Sequence, residues 1–314
     1  MPDFTSEEDR PAAARPGSDL RRFVRSIAHR GADEVSFLPV EGRLPGFDGA
    51  TGWLQSEPLT PAGLRGRVVL VQFWTYTCIN WLRTLPYVRA WDAKYRDQRL
   101  TVVGVHTPEF GFERTVDNII AAARDEDVPY PIAIDSNYGV WQAFANHFWP
   151  ALYLADAEGR IRFHHFGEGE YAMTEMAIQQ LLAEAGVENV DPDLVAVEPR
   201  GFELAADWQS LRSPESYLGY GRPGFASPDR ERLDQPFTYA APSRLSLNEW
   251  APSGTWTLAR HAAVLDAPGG LIAFRFHARD VHLVMGPVAN GASVPFRVRL
   301  DGAAPGESHG LDVD

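Results

Sequence analysis

Cys78 is the single cysteine of the chain, and its surroundings are those of a nucleophile. It closes the segment Val68-Val69-Leu70-Val71-Gln72-Phe73-Trp74-Thr75-Tyr76-Thr77-Cys78, where an apolar run gives way to a short polar turn. A helical pattern begins beside it with Trp81, Leu82, Leu85, Val88 and Trp91. At a helix N-terminus the first amides and the helix dipole favour a thiolate. The thiolate is the attacking form in disulfide exchange and peroxide reduction. An inert, buried cysteine is the alternative, since cysteine is among the most buried residue types. A C-x-x-C pair would place its second sulfur at position 81, where the chain has Trp81. One cysteine excludes an internal disulfide and a zinc site built from several cysteines. No cofactor and no metal are expected.

Other side chains are candidates for tuning this sulfur. His106 follows an apolar strand, and a histidinium there would stabilise a thiolate. Glu109 and Glu113 lie between that strand and the next helix. Either can handle a proton, or Glu113 can simply complement a helix start. His164 and His165 adjoin Glu168 and Glu170, but adjacent strand residues point to opposite faces and do not suit one metal ion. Thr75 fits half of the peroxidase pattern P-x-x-x-T-x-x-C, with Val71 at the proline position. Trp250 and Trp256 are candidates for an exposed aromatic sugar platform, or for core packing.

The elements that must position these residues follow from hydrophobic period. Val68–Trp74 is apolar at every position but Gln72, the pattern of a central strand covered on both faces. A helix with Pro86 inside it comes next, where a kink is expected. Further expectations are a strand at Leu100–Val105, a helix at Glu113–Arg124, a strand at Tyr130–Ile134 and a helix at Val140–His147. A hairpin of Ala151–Ala155 and Ile161–His165 and a helix at Ala172–Ala185 complete the region. This order is mixed α/β. After Phe237 the chain is β-rich, with strands expected at Thr255–Arg260, Leu271–His277, Val281–Met285 and Pro295–Leu300.

The 314 residues, 45% hydrophobic and 23% charged, suit two soluble domains. Four segments are expected: a flexible arm over 1–34 with a short helix through Leu20–Ile27, an α/β domain over 35–190, a wrapping linker over 191–235, and a β-sandwich or jelly-roll domain over 236–314. A net charge of −13 weighs against a nucleic-acid binder. No run reaches membrane-spanning length, and the N-terminus has no signal-peptide core. The expected location is therefore cytoplasmic, unless a targeting segment has been removed.

Residues 35–190 resemble the thioredoxin-like domains of the membrane-linked TlpA/ResA and DipZ redox proteins, closest to the DipZ type. The resemblance rests on Phe73–Val88, on Gly104-Val105-His106-Thr107-Pro108-Glu109-Phe110, and on His164-His165-Phe166-Gly167-Glu168-Gly169-Glu170. It extends to the β-rich tail, which resembles the carbohydrate-module-like domain that follows the redox domain in that type. The resemblance implies a thioredoxin-like fold and makes Cys78 the attacking cysteine. It implies a cis peptide before Pro150, in Trp149-Pro150, and a substrate groove formed by Trp74, Thr75, Asn80, Trp81, Trp149 and Pro150. It also puts Trp81 where the family has its resolving cysteine.

The function expected is a thiol–disulfide oxidoreductase with one nucleophile, Cys78, and an external resolving thiol. Its partner would be a disulfide- or thiol-bearing protein or a small thiol. A non-catalytic interaction protein that keeps the groove and a one-cysteine peroxidase remain as alternatives. A homodimer through the C-terminal β domain is expected if its sheet edge is open.

Overall fold

The structure, a computed structural model, describes residues 38–227, 232–286, 294–310 and 313. The expected arm over 1–34 lies outside the described residues. The described chain divides into two compact units, one reaching to Glu203 and including Val298 onward, the other Leu204–Arg297.

The first unit contains β1 (Gly42–Arg43), β2 (Gly52–Leu54), β3 (Val68–Trp74), α1 (Ile79–Tyr95), β4 (Leu100–His106), α2 (Val116–Asp125), β5 (Ile132–Ile134), α3 (Gly139–Ala143), β6 (Ala151–Ala155), β7 (Arg160–Phe166) and α4 (Tyr171–Glu184). Its strands form one sheet in the order β1-β7-β6-β3-β4-β5-β2. β3, β4 and β5 run parallel. β6 and β7 form the antiparallel hairpin on the other side of β3.

β3 lies in the middle of this sheet, which explains its near-continuous apolar composition. Its alternate side chains enter two different cores. Leu70 and Trp74 join Leu85 and Val88 of α1 and Ile178 and Leu181 of α4. Val69, Val71 and Phe73 join Trp141 and Phe144. With both faces of β3 covered, the turn after it emerges at the end of the sheet where α1 begins. α1 continues through Pro86. α3 is shorter than the helix expected over Val140–His147, because the chain turns into the left-handed region at Ala145 (φ 48°).

The second unit is all-β. β8 (Pro236–Tyr239), β9 (Trp250–Leu258), β10 (Ala263–Leu265) and β11 (Leu271–Phe274) form an open sheet in which β9 pairs with each of the others. Phe225, Tyr239, Trp250, Trp256 and Leu258 make its core. Trp250 and Trp256 are therefore interior, not an exposed platform for a sugar.

Val281–Met285 and Pro295–Leu300, expected as strands, belong to no strand. Leu300 makes one isolated bridge with Ala303. Their alternation supplies an apolar face, but a strand also needs an edge to pair with, and Val281 and Leu283 stand exposed. Among the described residues no helix is long and apolar enough to cross a membrane.

Candidate active site

Cys78 is the N-cap residue of α1, with extended backbone (φ −76°, ψ 110°). Its carbonyl accepts the first helical bonds, from the N–H groups of Trp81 and Leu82, both at 3.0 Å. Its own N–H donates to the Thr75 carbonyl and closes the turn after β3. The thiol is half-buried, with Sγ 3.7 Å from the Trp149 carbonyl oxygen. The Trp149–Pro150 peptide is cis.

The Trp149 segment is tied down in several places. Its indole Nε1 donates to the Thr107 carbonyl at 2.9 Å, and its ring lies 4.2 Å from Trp141. The Thr107 hydroxyl donates to the Asp135 carboxylate. That carboxylate also accepts from the N–H groups of Val140 and Trp141 at the start of α3. Burial pushes Asp135 up, and these hydrogen bonds oppose the shift. β4, α3 and the Pro150 turn are thus connected by polar contacts on one flank of the sulfur.

Behind Cys78 the site is closed. Trp81 and Trp74 are fully buried and stack with centroids 4.4 Å apart and planes 22° apart. The Gln72 side-chain oxygen accepts from Trp81 Nε1 at 3.4 Å and from the Tyr130 hydroxyl at 2.8 Å. Gly104 leaves room for this stack, since a Cβ there would fall 2.8 Å from Trp74 Nε1. Thr75 is also fully buried. Trp74, Thr75 and Trp81, expected in the substrate groove, are fully buried. Trp81 belongs to the buried stripe of α1 with Leu85, Val88 and Trp91. Asn80 and Trp149 are half-exposed, and Pro150 is buried.

His106 also differs from expectation. It is fully buried, 4.9 Å from Trp74 and 5.6 Å from Tyr76 by ring centroids. Neither ring nitrogen has a hydrogen-bond partner among the described residues. Burial lowers its pKa to about 3. The ring is neutral near pH 7, so it supplies no histidinium to a thiolate.

Glu113 is the acidic residue drawn into the site. It is fully buried at the 3₁₀ turn Gly111–Arg114. Its carboxylate accepts from the Thr77 hydroxyl at 2.5 Å and from the N–H groups of Glu109 and Phe110 at 2.6 and 2.7 Å. Glu109 is half-buried on the same loop. Sequence reasoning missed Thr77 as the link from Cys78 to Glu113; the signal was its position directly before the cysteine.

Sequence reasoning also missed a buried ion pair, Arg83 Nη1 to Glu168 Oε1 at 3.0 Å. It joins α1 to the segment after β7, where the Gly167 N–H donates to the Pro150 carbonyl. Burial raises the Glu168 pKa, and Arg83 opposes this. His164 bonds Glu41, whereas His165 lies 3.4 Å from the Glu168 carbonyl, so the two histidines do not converge. Among the described residues no three His, Cys, Asp or Glu side chains are grouped to hold a metal ion.

The chain is 37% identical over 260 residues to protein DipZ of Mycobacterium tuberculosis, covering 81% of this chain and 36% of that protein. It therefore spans about a third of the length of the DipZ protein. It is 30% identical over 141 residues to thiol-disulfide oxidoreductase YkuV of Bacillus subtilis, which takes in 45% of this chain and 95% of YkuV. A solution structure of a thioredoxin-like protein in the oxidized form is 30% identical, with a TM-score of 0.43, covering 47% of this chain and 99% of that one. Residues 213–314 match the family described as the thioredoxin like C-terminal domain. With nearly all of YkuV matched at this identity, and with one cysteine at the head of α1, the chain belongs to the thioredoxin-like family and is related to the DipZ type.

Proposed function

We propose that the protein is a thiol–disulfide oxidoreductase that works with a single nucleophile, Cys78, and an external resolving thiol. The Cys78 thiolate attacks one sulfur of a substrate disulfide. A bond forms from Sγ to that sulfur, the substrate S–S bond breaks, and the departing thiolate takes a proton from solvent. An external thiolate then attacks the substrate sulfur of the mixed disulfide. It leaves bonded to that sulfur, and the Cys78 thiolate returns. The observation that carries this reading is the half-exposed sulfur at the N-cap of α1, beside the Trp149 carbonyl. The sulfur stands at the positive end of the α1 dipole, the position that in general favours a thiolate, while its side chain makes no capping hydrogen bond and its thiol donates to the Trp149 carbonyl. Trp81 is inferred to stand where two-cysteine relatives carry the resolving thiol, which is why that thiol must come from outside.

The fully buried Trp81 also favours a second reading, a non-catalytic interaction protein, because core packing occupies the place of a relay. The peroxidase reading has less support, since Thr75 is fully buried and its hydroxyl is not presented to peroxide at a surface. Reduction of 2-hydroxyethyl disulfide by an external thiol, measured with the wild type and Cys78→Ser, separates the first two. Turnover that disappears in the variant supports exchange. Equal rates in both, or none in either, favour the non-catalytic reading.

A homodimer through the β unit is a further part of this proposal. It is supported by exposed Leu271, Val281, Leu283 and Met285 on and beyond the edge strand β11. Light scattering tests it, and a monomer mass overturns it.

A further inference from the structure

The loop between β4 and α2 presents an unusual surface beside the nucleophile. Phe110 and Phe112 are half-exposed and stack at 5.8 Å with planes 4° apart. Solvated loops are ordinarily polar and adaptable, and ordering one costs conformational entropy. Here the loop is fixed from beneath. The buried Glu113 carboxylate holds the N–H groups of Glu109 and Phe110, and it holds Thr77, the residue before Cys78. The Tyr76 hydroxyl, two residues before Cys78, donates to the Phe112 carbonyl at 3.3 Å. Asn118 of α2 donates to both of those oxygens. The two phenylalanines are therefore held in register with the turn that carries the sulfur.

The charges beside this wall are selective as well. Glu109 is half-buried on it, and Glu113 lies fully buried beneath it. Arg114, the basic residue of the same turn, is directed onto the Tyr138 ring at 5.5 Å and donates to the Ser136 carbonyl. Arg83 of α1 is bonded to Glu168. An anionic small disulfide such as glutathione disulfide meets negative charge here, from half-buried Glu109 and from Glu113 beneath it, while Arg114 and Arg83 are held in other contacts. Aromatic faces next to carboxylates suit apolar side chains and Lys or Arg.

We propose that the Glu109–Glu113 loop is the specificity wall of the Cys78 site, with Phe110 and Phe112 as its contacts. It selects a disulfide carried on a basic peptide beside an aromatic or aliphatic side chain. This rests on the exchange reading above. It adds the substrate class and the residues that choose it, with Glu113 as the positioning residue of the wall.

The test uses four probes: a synthetic peptide disulfide flanked by Phe and Lys, the same peptide with Glu for Lys, glutathione disulfide, and uncharged 2-hydroxyethyl disulfide. Rates of mixed-disulfide formation are measured for the wild type and for Phe110→Ala/Phe112→Ala. The wild type is expected to favour the Phe/Lys peptide over hydroxyethyl disulfide and over the Glu peptide by about tenfold, the size of one or two aromatic contacts. The double variant should lose that advantage, its rate with the Phe/Lys peptide relative to hydroxyethyl disulfide falling about tenfold toward one. Equal wild-type rates for all four probes, or an advantage that survives the truncation, would overturn the proposal. If no probe forms a mixed disulfide, the exchange reading fails by itself. The wall is then judged by binding of the S-methylated Phe/Lys peptide to Cys78→Ser. Binding that disappears when both phenylalanines are removed supports the wall, and binding that is absent or unaffected overturns it.

Discussion

Cys78 and Trp81 lie one helical turn apart at the head of α1, yet they occupy opposite environments. The sulfur is half-exposed, next to the Trp149 carbonyl and beside a loop held by hydrogen bonds. The indole is fully buried, stacked on Trp74 and bonded to Gln72. The front of the site is open to solvent, and the back is packed as core. Chemistry at the front therefore does not extend inward through a second thiol. In the proposed exchange, a mixed disulfide on Cys78 is resolved by a thiol from outside these 314 residues.

The back of the site should be the more sensitive half in stability measurements. Trp81→Cys removes a fully buried indole from the Trp74 stack and should cost about 3–5 kcal/mol in urea unfolding, the range for large-to-small changes at buried aromatics. A loss below about 1 kcal/mol would mean that this face is not packed as described.

The next effect is one of pH. The folded pKa of His106 is about 3, below the ordinary histidine value of about 6.5. Between these two values the unfolded chain binds a proton that the folded chain does not. Stability is therefore present above pH ~6.5 and is lost as pH falls toward ~3, at up to about 1.4 kcal/mol per pH unit. Unfolding measured down this window should show the slope, and His106→Phe should flatten it. An equal slope in both proteins would contradict a neutral, buried His106.

At the front, Glu113→Ala leaves two backbone N–H groups and the Thr77 hydroxyl without their acceptor. It should cost about 1–3 kcal/mol. The smallest expected stability effect is that of Phe112→Ala. This half-exposed residue should change stability by less than about 1 kcal/mol, a difference read in the same urea titration.

Much of this contrast could be read in the sequence, though not all of it was. The apolar run Val68–Trp74 marks β3 at its observed ends, because a strand covered on both faces carries an unbroken signal. The spacing of Trp81, Leu85, Val88 and Trp91 marks one helical stripe, and that stripe already places Trp81 in the core rather than in a groove. Likewise His106 shares the β4 face of Leu100 and Val102, which points inward.

Other features left no such trace. β1 and β2 are two and three residues long, too short for a period. The bond from Thr77 to Glu113 spans 36 residues and depends on the fold that brings the loop back. The exposed alternation at Val281–Met285 has the pattern of a strand but no partner strand among the described residues, and pairing is a property of the neighbour as much as of the segment.

The central claim is that Cys78 is a nucleophile served by an external thiol. Intact-mass analysis of the full chain after incubation with 2-hydroxyethyl disulfide tests it most directly. The prediction is one mixed-disulfide adduct, absent in Cys78→Ser and discharged on addition of a small thiol. An unmodified wild-type mass at excess disulfide, or an adduct that no added thiol removes, would contradict it.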